Sequence, residues 1–177
     1  MSVKRCLGLG ILTILPLLAT PAHARDPADV FAGKVILSTK PFPASFKSDR
    51  AFVRFMKKAN QKSVYYPKSN YLNLEFMGFF GRTYAATEYT CLVYNVTDRN
   101  KLVRSFPIYP ESRENRILAS GFRISRDVFP EEKTYRLIVS LNGRALAETV
   151  FSIKENAENR RARLAKEKAL KDQKINF

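Results

Sequence analysis

Hydrophobic and polar residues alternate with a period of two over residues 135–141, and this alternation predicts a β-strand. The hydrophobic positions are Tyr135, Leu137, Val139 and Leu141. Asn142-Gly143 follows, the residue pair that best adopts the two positive φ angles of a type I′ turn. A second run then returns through Thr149, Phe151 and Ile153. The pattern predicts a β-hairpin, and other strands must cover its apolar face because a two-stranded ribbon leaves that face in water.

Further short alternating or apolar runs precede this hairpin and are separated by turn-forming residues. They lie at 34–38, 70–76, 89–97, 102–109 and 115–124. Together with the hairpin they make seven short antiparallel strands. This number in about 120 residues predicts a mainly β fold, an immunoglobulin-like antiparallel β-sandwich that lacks the Cys and Trp core of antibody domains. A small β-barrel requires the same alternation and remains the alternative.

The segment 48–60 has helical periodicity. Ser48 is a helix-capping residue, and the basic residues that follow lie largely off the apolar face. That face consists of Phe52, Phe55, Met56 and Ala59. We expect an amphipathic helix that lies on the sandwich as a lid. The chain then divides into a signal peptide (1–24), an N-terminal strand and helix (25–69), a sandwich core (70–153) and a charged helical tail (154–177).

The first 24 residues have the three parts of a secretory signal peptide. Lys4 and Arg5 form the charged region, residues 6–20 are largely apolar, and Ala22-His23-Ala24 has small residues at the cleavage-defining positions. The apolar stretch contains Pro16 and is shorter than the roughly 20 residues that span a bilayer. We therefore expect cleavage after Ala24, export to the periplasm or the cell exterior, and no transmembrane segment in the mature chain.

Four segments of the mature chain carry a family resemblance. They are LSTKPFP (Leu37–Pro43), YNVTD (Tyr94–Asp98), RILAS (Arg116–Ser120) and FPEEKTYRLIVS (Phe129–Ser140). With these segments the chain resembles a set of uncharacterised secreted bacterial proteins that have a charged helical tail. The resemblance covers most of the mature chain and implies a bacterial, extracytoplasmic protein. It implies no activity, because none is assigned to that set.

The composition of the mature chain excludes several kinds of site. The whole chain has 31 basic and 16 acidic residues, and removing the leader takes only Lys4 and Arg5, which leaves 29 against 16, or about +13. The only histidine, His23, is lost as well, and Cys91 becomes the only cysteine. A Ser-His-Asp or Cys-His arrangement is then impossible, and neither a zinc site of the usual ligands nor an internal disulfide is expected. We expect Cys91 to be a buried structural thiol, with pairing between chains as the alternative.

Carboxylates remain in the mature chain, and glycoside hydrolysis needs only two of them. The candidates are Glu75, Glu88, Asp127, Glu131, Glu132 and Glu148. Their spacing indicates no particular pair, and the sequence has no glycine-rich phosphate loop, nucleophile elbow or EF-hand calcium loop. We therefore expect a protein that is not an enzyme, without catalytic residues, cofactor or metal. A carboxylate-dependent hydrolase is the distant alternative.

Two sets of residues are candidates for binding. Tyr65 and Tyr66 lie between Lys62 and Lys68, and aromatic rings flanked by cations can stack on a sugar or a base. Tyrosines that enter a sandwich are more often partly buried structural residues, so stacking on a ligand is only the second interpretation of this pair. The candidates for a polyanion-binding surface are Arg50, Arg54, Lys57, Lys58, Lys62, Lys68, Arg160, Arg161, Arg163, Lys166 and Lys168.

The last five of these basic residues lie in the tail, whose composition favours a helix with only a thin apolar stripe. Such a run is typical of a solvated, fraying helix, and a basic arm for a polyanion or a partner is the alternative. The sequence as a whole predicts a non-catalytic, exported interaction or structural module of the envelope, with an unknown envelope protein as partner. The second hypothesis is a polyanion-binding protein, because a strongly positive field attracts lipopolysaccharide, acidic polymers and, nonspecifically, nucleic acid.

Overall fold

A computed structural model of the protein describes residues 26–157, 160–161 and 164–165. The predicted leader and the basic candidates Arg163, Lys166 and Lys168 lie outside the described residues. In chain order the elements are α1 (Pro27–Val30), β1 (Val35–Ser38), α2 (Asp49–Ala59), β2 (Ser63–Tyr65), β3 (Tyr71–Ala85), β4 (Tyr89–Asn95), β5 (Lys101–Ile108), β6 (Glu114–Ser125), β7 (Lys133–Leu141) and β8 (Arg144–Lys154).

The strands form two open sheets, so the prediction of a mainly β fold is confirmed. One sheet has the order β1-β3-β6, and the other has the order β2-β8-β7-β4-β5. Neither sheet closes on itself within the described chain, so the small barrel is wrong. The described residues form eight strands, not seven, and β2 pairs with β8 in parallel. The sequence pattern missed β2 because three residues are too few to show an alternation.

The hairpin predicted at 135–153 is confirmed. β7 and β8 pair in antiparallel register from Lys133 opposite Ile153 to Leu141 opposite Arg144. Between the two strands, Asn142 has a φ of 50° and Gly143 a φ of 77°. Both values lie in the left-handed region that a type I′ turn requires, which asparagine tolerates and glycine adopts without strain.

Residues from both sheets form one hydrophobic core. Its largest fully buried side chains include Tyr66, Phe76, Phe80, Tyr135 and Phe151. The rings of Tyr135 and Phe151 stack with centroids 5.7 Å apart across β7 and β8. The hairpin therefore supplies one wall of this core, and the β1-β3-β6 sheet supplies the opposite wall.

A second, smaller core lies on the other face of the β1-β3-β6 sheet, where α2 covers it. Ser48 caps the N-terminus of this helix, and its hydroxyl accepts a hydrogen bond from the backbone N–H of Ala51 at 3.2 Å. Met56 is fully buried against Ile36 and Phe79 of the sheet. β3 thus serves both cores, because Phe79 and Phe80 are fully buried on its opposite faces.

The end of β8 changes the predicted start of the tail. β8 continues through Lys154, beyond the predicted end of the sandwich at residue 153. Helical backbone follows at Ala157, and the N–H of Arg160 donates to the carbonyl oxygen of Asn156 at 2.9 Å. Among the described residues, no helix is both long and apolar enough to cross a bilayer.

Candidate functional site

Tyr65 and Tyr66 point to opposite sides of the sheet that contains β2. Tyr66 is 1% exposed, its hydroxyl donates to the carbonyl oxygen of Phe129 at 2.8 Å, and the guanidinium of Arg126 lies 5.0 Å from its ring centroid. Burial raises the pKa of the Tyr66 phenol. Tyr66 is therefore a buried structural residue, and its ring is not exposed to a ligand. Tyr65 is 50% exposed, so its ring remains available.

The parallel pairing of β2 with β8 sets the surroundings of Tyr65. Tyr65 lies directly opposite Lys154 in this register. Immediately beyond Lys154, the backbone N–H of Glu155 donates to a carboxylate oxygen of Glu132 at 2.9 Å, which fixes the chain as it leaves the sheet. Lys154 was not among the predicted binding residues, because its proximity to Tyr65 depends on a pairing between segments far apart in sequence.

A groove of about 720 Å³ lies at this end of the sheet, between β2, the end of β8 and the first helical residues of the tail. Its lining residues are Tyr65, Glu132, Lys154, Glu155, Ala157, Arg160, Arg161 and Leu164. We call it the Tyr65 groove. The fold thus brings three of the predicted binding residues, Tyr65, Arg160 and Arg161, to one place.

The Tyr65 groove combines an aromatic ring with three cations and two carboxylates. Arg160 and Arg161 are exposed, and within the described chain neither forms an ion pair. Guanidinium groups bind carboxylates, phosphates and sulfates through paired N–H donors, and a tyrosine face beside them can carry a flat ring. This arrangement suits an anionic ligand that has a sugar or aromatic ring.

The remaining basic candidates lie elsewhere. The four on α2 are exposed, and none of them lines the Tyr65 groove; they are Arg50, Arg54, Lys57 and Lys58. The ammonium of Lys62 donates to the hydroxyl of Thr149 at 3.1 Å, and Lys68 lies in the connection between β2 and β3. The structure therefore does not gather all the predicted cations into one patch.

The carboxylates considered for hydrolysis are dispersed among different elements. Glu131 pairs with Arg126 at 3.3 Å, Glu132 supports the Tyr65 groove, and Glu75 lies partly buried in β3. Glu88, Asp127 and Glu148 are exposed. Across the described part of the chain, no three His, Cys, Asp or Glu side chains form a group that could hold a metal ion.

Cys91 is fully buried in the main core, as expected for a structural thiol. Burial raises the pKa of this thiol from 9.0 to about 12, and the nearby Arg104 lowers it only partly. The thiol therefore stays protonated at neutral pH and is a poor nucleophile.

No protein-family model matches the chain, and neither does any curated protein. Similar solved structures include the β-glucuronidase of Bifidobacterium dentium complexed with coumarin-3-O-glucuronide, at a TM-score of 0.34 and 9% identity over 68% of this chain. They also include the β-glucosidase of Listeria innocua in complex with isofagomine, at a TM-score of 0.32 and 12% identity over 71% of this chain. The match spans 16% of each of those proteins. Likenesses this low in score carry no conclusion about fold or activity.

Proposed function

We propose that the protein is a non-catalytic binding module that is exported to the periplasm or the surface of a bacterial cell. Its scaffold is an immunoglobulin-like sandwich, and its ligand is an anionic polymer of the envelope. The observation that supports this proposal is the convergence of exposed Tyr65 with Lys154, Arg160 and Arg161 in one groove.

The charge of the whole chain supports the same ligand class. After loss of the leader, the 29 basic and 16 acidic residues give about +13, which attracts anionic chains from a distance. Long-range attraction by itself is unspecific. The Tyr65 groove adds a local site, where guanidinium groups pair with phosphate, sulfate or carboxylate groups and Tyr65 packs on the ring between them.

The experiment is retention on immobilised heparin and on lipopolysaccharide across a salt series. Because the Debye length falls from about 10 Å at 0.1 M salt to about 3 Å at 1 M, we expect retention to weaken steeply over this range. The doubly substituted chain Arg160→Gln/Arg161→Gln should elute at clearly lower salt than the parent. A second variant, Tyr65→Ala, tests the contribution of the ring.

The matched control is Arg113→Gln/Arg144→Gln. It removes the same charge from two exposed arginines at the opposite end of the strands. Arg113 lies in the β5–β6 connection, where its carbonyl oxygen accepts from the N–H of Ala86 at 2.9 Å, and Arg144 is the first residue of β8. If the two double variants lose the same retention, general charge and not the Tyr65 groove binds the polymer. If the parent is not retained and chemical crosslinking in the native envelope captures one protein partner, the module is instead a protein-interaction module.

A further inference from the structure

A shallow, open polar groove, of about 580 Å³, lies on the face of the β1-β3-β6 sheet beyond the part that α2 covers. Its lining residues are Asn73, Glu75, Gly121, Phe122 and Arg123. On β3 and β6, Asn73 is paired with Arg123 and Glu75 with Gly121. Residues two apart on a strand share a face and are about 7 Å apart. We call this site the Glu75 groove.

The carboxylate of Glu75 lies directly over Gly121. A Cβ at position 121 would be 2.6 Å from one carboxylate oxygen of Glu75 and 2.9 Å from the other, so any side chain there would displace the carboxylate. Glycine inside a strand weakens it, and such a glycine often marks a place where a ligand approaches closely. Gly121 therefore leaves the space that the Glu75 carboxylate occupies on the sheet surface.

Glu75 is partly buried, yet its carboxylate has no hydrogen bond or ion pair to any residue that the structure describes. Arg123 lies two residues from Gly121 on β6, and its side chain contacts Asn73 and Tyr71 instead of Glu75. Its Nε donates to the amide oxygen of Asn73 at 3.3 Å, and its guanidinium carbon is 5.9 Å from the ring centroid of Tyr71. The groove thus presents a carboxylate and a guanidinium that do not neutralise each other.

This pair of charges restricts the ligand. The Glu75 carboxylate repels an anionic ligand, while Arg123 and the positive charge of the whole chain repel a cationic one. Hydroxyl groups can donate to Glu75 and accept from Arg123 without any mismatch of charge. Tyr71, 56% exposed at the end of the groove, offers a flat face on which a sugar ring can stack.

We propose that the Glu75 groove is a binding site for an uncharged polysaccharide, with Tyr71 stacking on a sugar ring and Asn73, Glu75 and Arg123 bonding to its hydroxyl groups. This site differs from the Tyr65 groove in its residues, in the sheet that carries it and in its ligand. Uncharged ligands are not screened by salt, so its binding persists at ionic strengths that abolish polyanion binding.

The test is co-sedimentation of the mature protein with insoluble cellulose, chitin and β-1,3-glucan in 1 M NaCl. We expect retention on at least one of the three. Tyr71→Ala and Glu75→Gln should each weaken that binding about tenfold or more, because the first removes the stacking ring and the second replaces charge-assisted hydrogen bonds to the ligand by weaker neutral ones. Arg160→Gln/Arg161→Gln should bind as the parent does. The same variants on heparin separate the two sites, since Glu75→Gln should leave heparin retention intact.

A double-mutant cycle tests the role of Gly121. Gly121→Ala should weaken binding in the parent by displacing the Glu75 carboxylate, and it should have no further effect in a Glu75→Ala chain. Thermal melting of each variant shows whether the chain still folds, and exposed Tyr71 allows a substitution that leaves the cores untouched. Retention on none of the three polysaccharides, or equal binding by the parent, Tyr71→Ala and Glu75→Gln, would overturn the proposal.

Discussion

The hydroxyl of Tyr66 donates a 2.8 Å hydrogen bond to the carbonyl oxygen of Phe129, which ties the end of β2 to the corner that precedes β7. A second buried tyrosine supports the same corner, since the hydroxyl of Tyr135 donates to the carbonyl oxygen of Pro130 at 3.1 Å. The corner continues to Glu132, which accepts the hydrogen bond from Glu155. The two tyrosines therefore hold the residues on which the Tyr65 groove is built.

Tyr66→Phe should lower the free energy of unfolding by about 1–3 kcal/mol, because it leaves the carbonyl oxygen of Phe129 buried without its donor. Urea unfolding measures the change. Tyr65→Phe is the matched control, since it removes a hydroxyl from the half-exposed neighbour and should change stability by less than about 0.5 kcal/mol. Equal effects of the two substitutions would contradict a structural role for the Tyr66 hydroxyl.

Phe151→Ala should lower the free energy of unfolding by about 3–5 kcal/mol, a large part of the stability of an ordinary domain. Phe151 is 1% exposed and stacks on Tyr135, so its removal leaves a cavity in the main core. Val150→Ala is the control, because Val150 is the adjacent β8 residue and is 45% exposed. A melting temperature that barely moves in Phe151→Ala would show that the hairpin does not support the core.

Alkaline pH should destabilise the protein. Burial raises the pKa of the Cys91 thiol from 9.0 to about 12 and that of the Tyr135 phenol from 10.0 to about 12. The unfolded chain loses these protons first, so the stability that they contribute is complete below about pH 9 and falls as the pH rises towards 12. Urea midpoints between pH 7.5 and about 11 measure the fall. When the urea midpoints of each chain are compared with that chain's midpoint at pH 7.5, those of Cys91→Ala should fall less with rising pH than those of the parent. An equal fall in the two chains would contradict the role of the thiol.

Truncation after Asn156 should leave the fold intact, whereas truncation after Val150 should not. The first truncation removes only the tail beyond β8. The second removes Phe151 and Ile153 from the main core, and it also removes the part of β8 that pairs with β2. Thermal melting followed by circular dichroism compares the two chains. Loss of a cooperative transition in the chain truncated after Asn156 would show that the tail packs on the domain.

Export should produce a mature chain that begins Arg25-Asp26-Pro27. The basis is the three-part leader with Ala22-His23-Ala24 at its end. N-terminal sequencing of periplasmic or secreted material checks the expectation. Membrane-bound protein that still carries the leader would contradict it.

Local patterns in the sequence were sufficient to predict the structural elements that depend only on neighbouring residues. The alternation around Leu137 and Val139 predicted a strand, and Asn142-Gly143 predicted the turn, because side-chain direction and positive φ angles are properties of a few adjacent residues. Burial of Cys91, which the sequence led us to expect, is confirmed.

Tertiary structure alone decided which distant residues meet. β2 has three residues, and its parallel register with β8 places Lys154 beside Tyr65. Only the packing of this strand shows that Tyr65 is exposed and that Tyr66, the next residue, is buried. Likewise, no pattern within β3 or β6 shows that Gly121 lies under Glu75, because the antiparallel register of the two strands brings them together. The sequence by itself determined the β7–β8 hairpin and the approximate positions of the other longer strands, through short-range sterics and alternation. Strand pairing decided both grooves, because pairing depends on the combined burial of many residues over the whole chain.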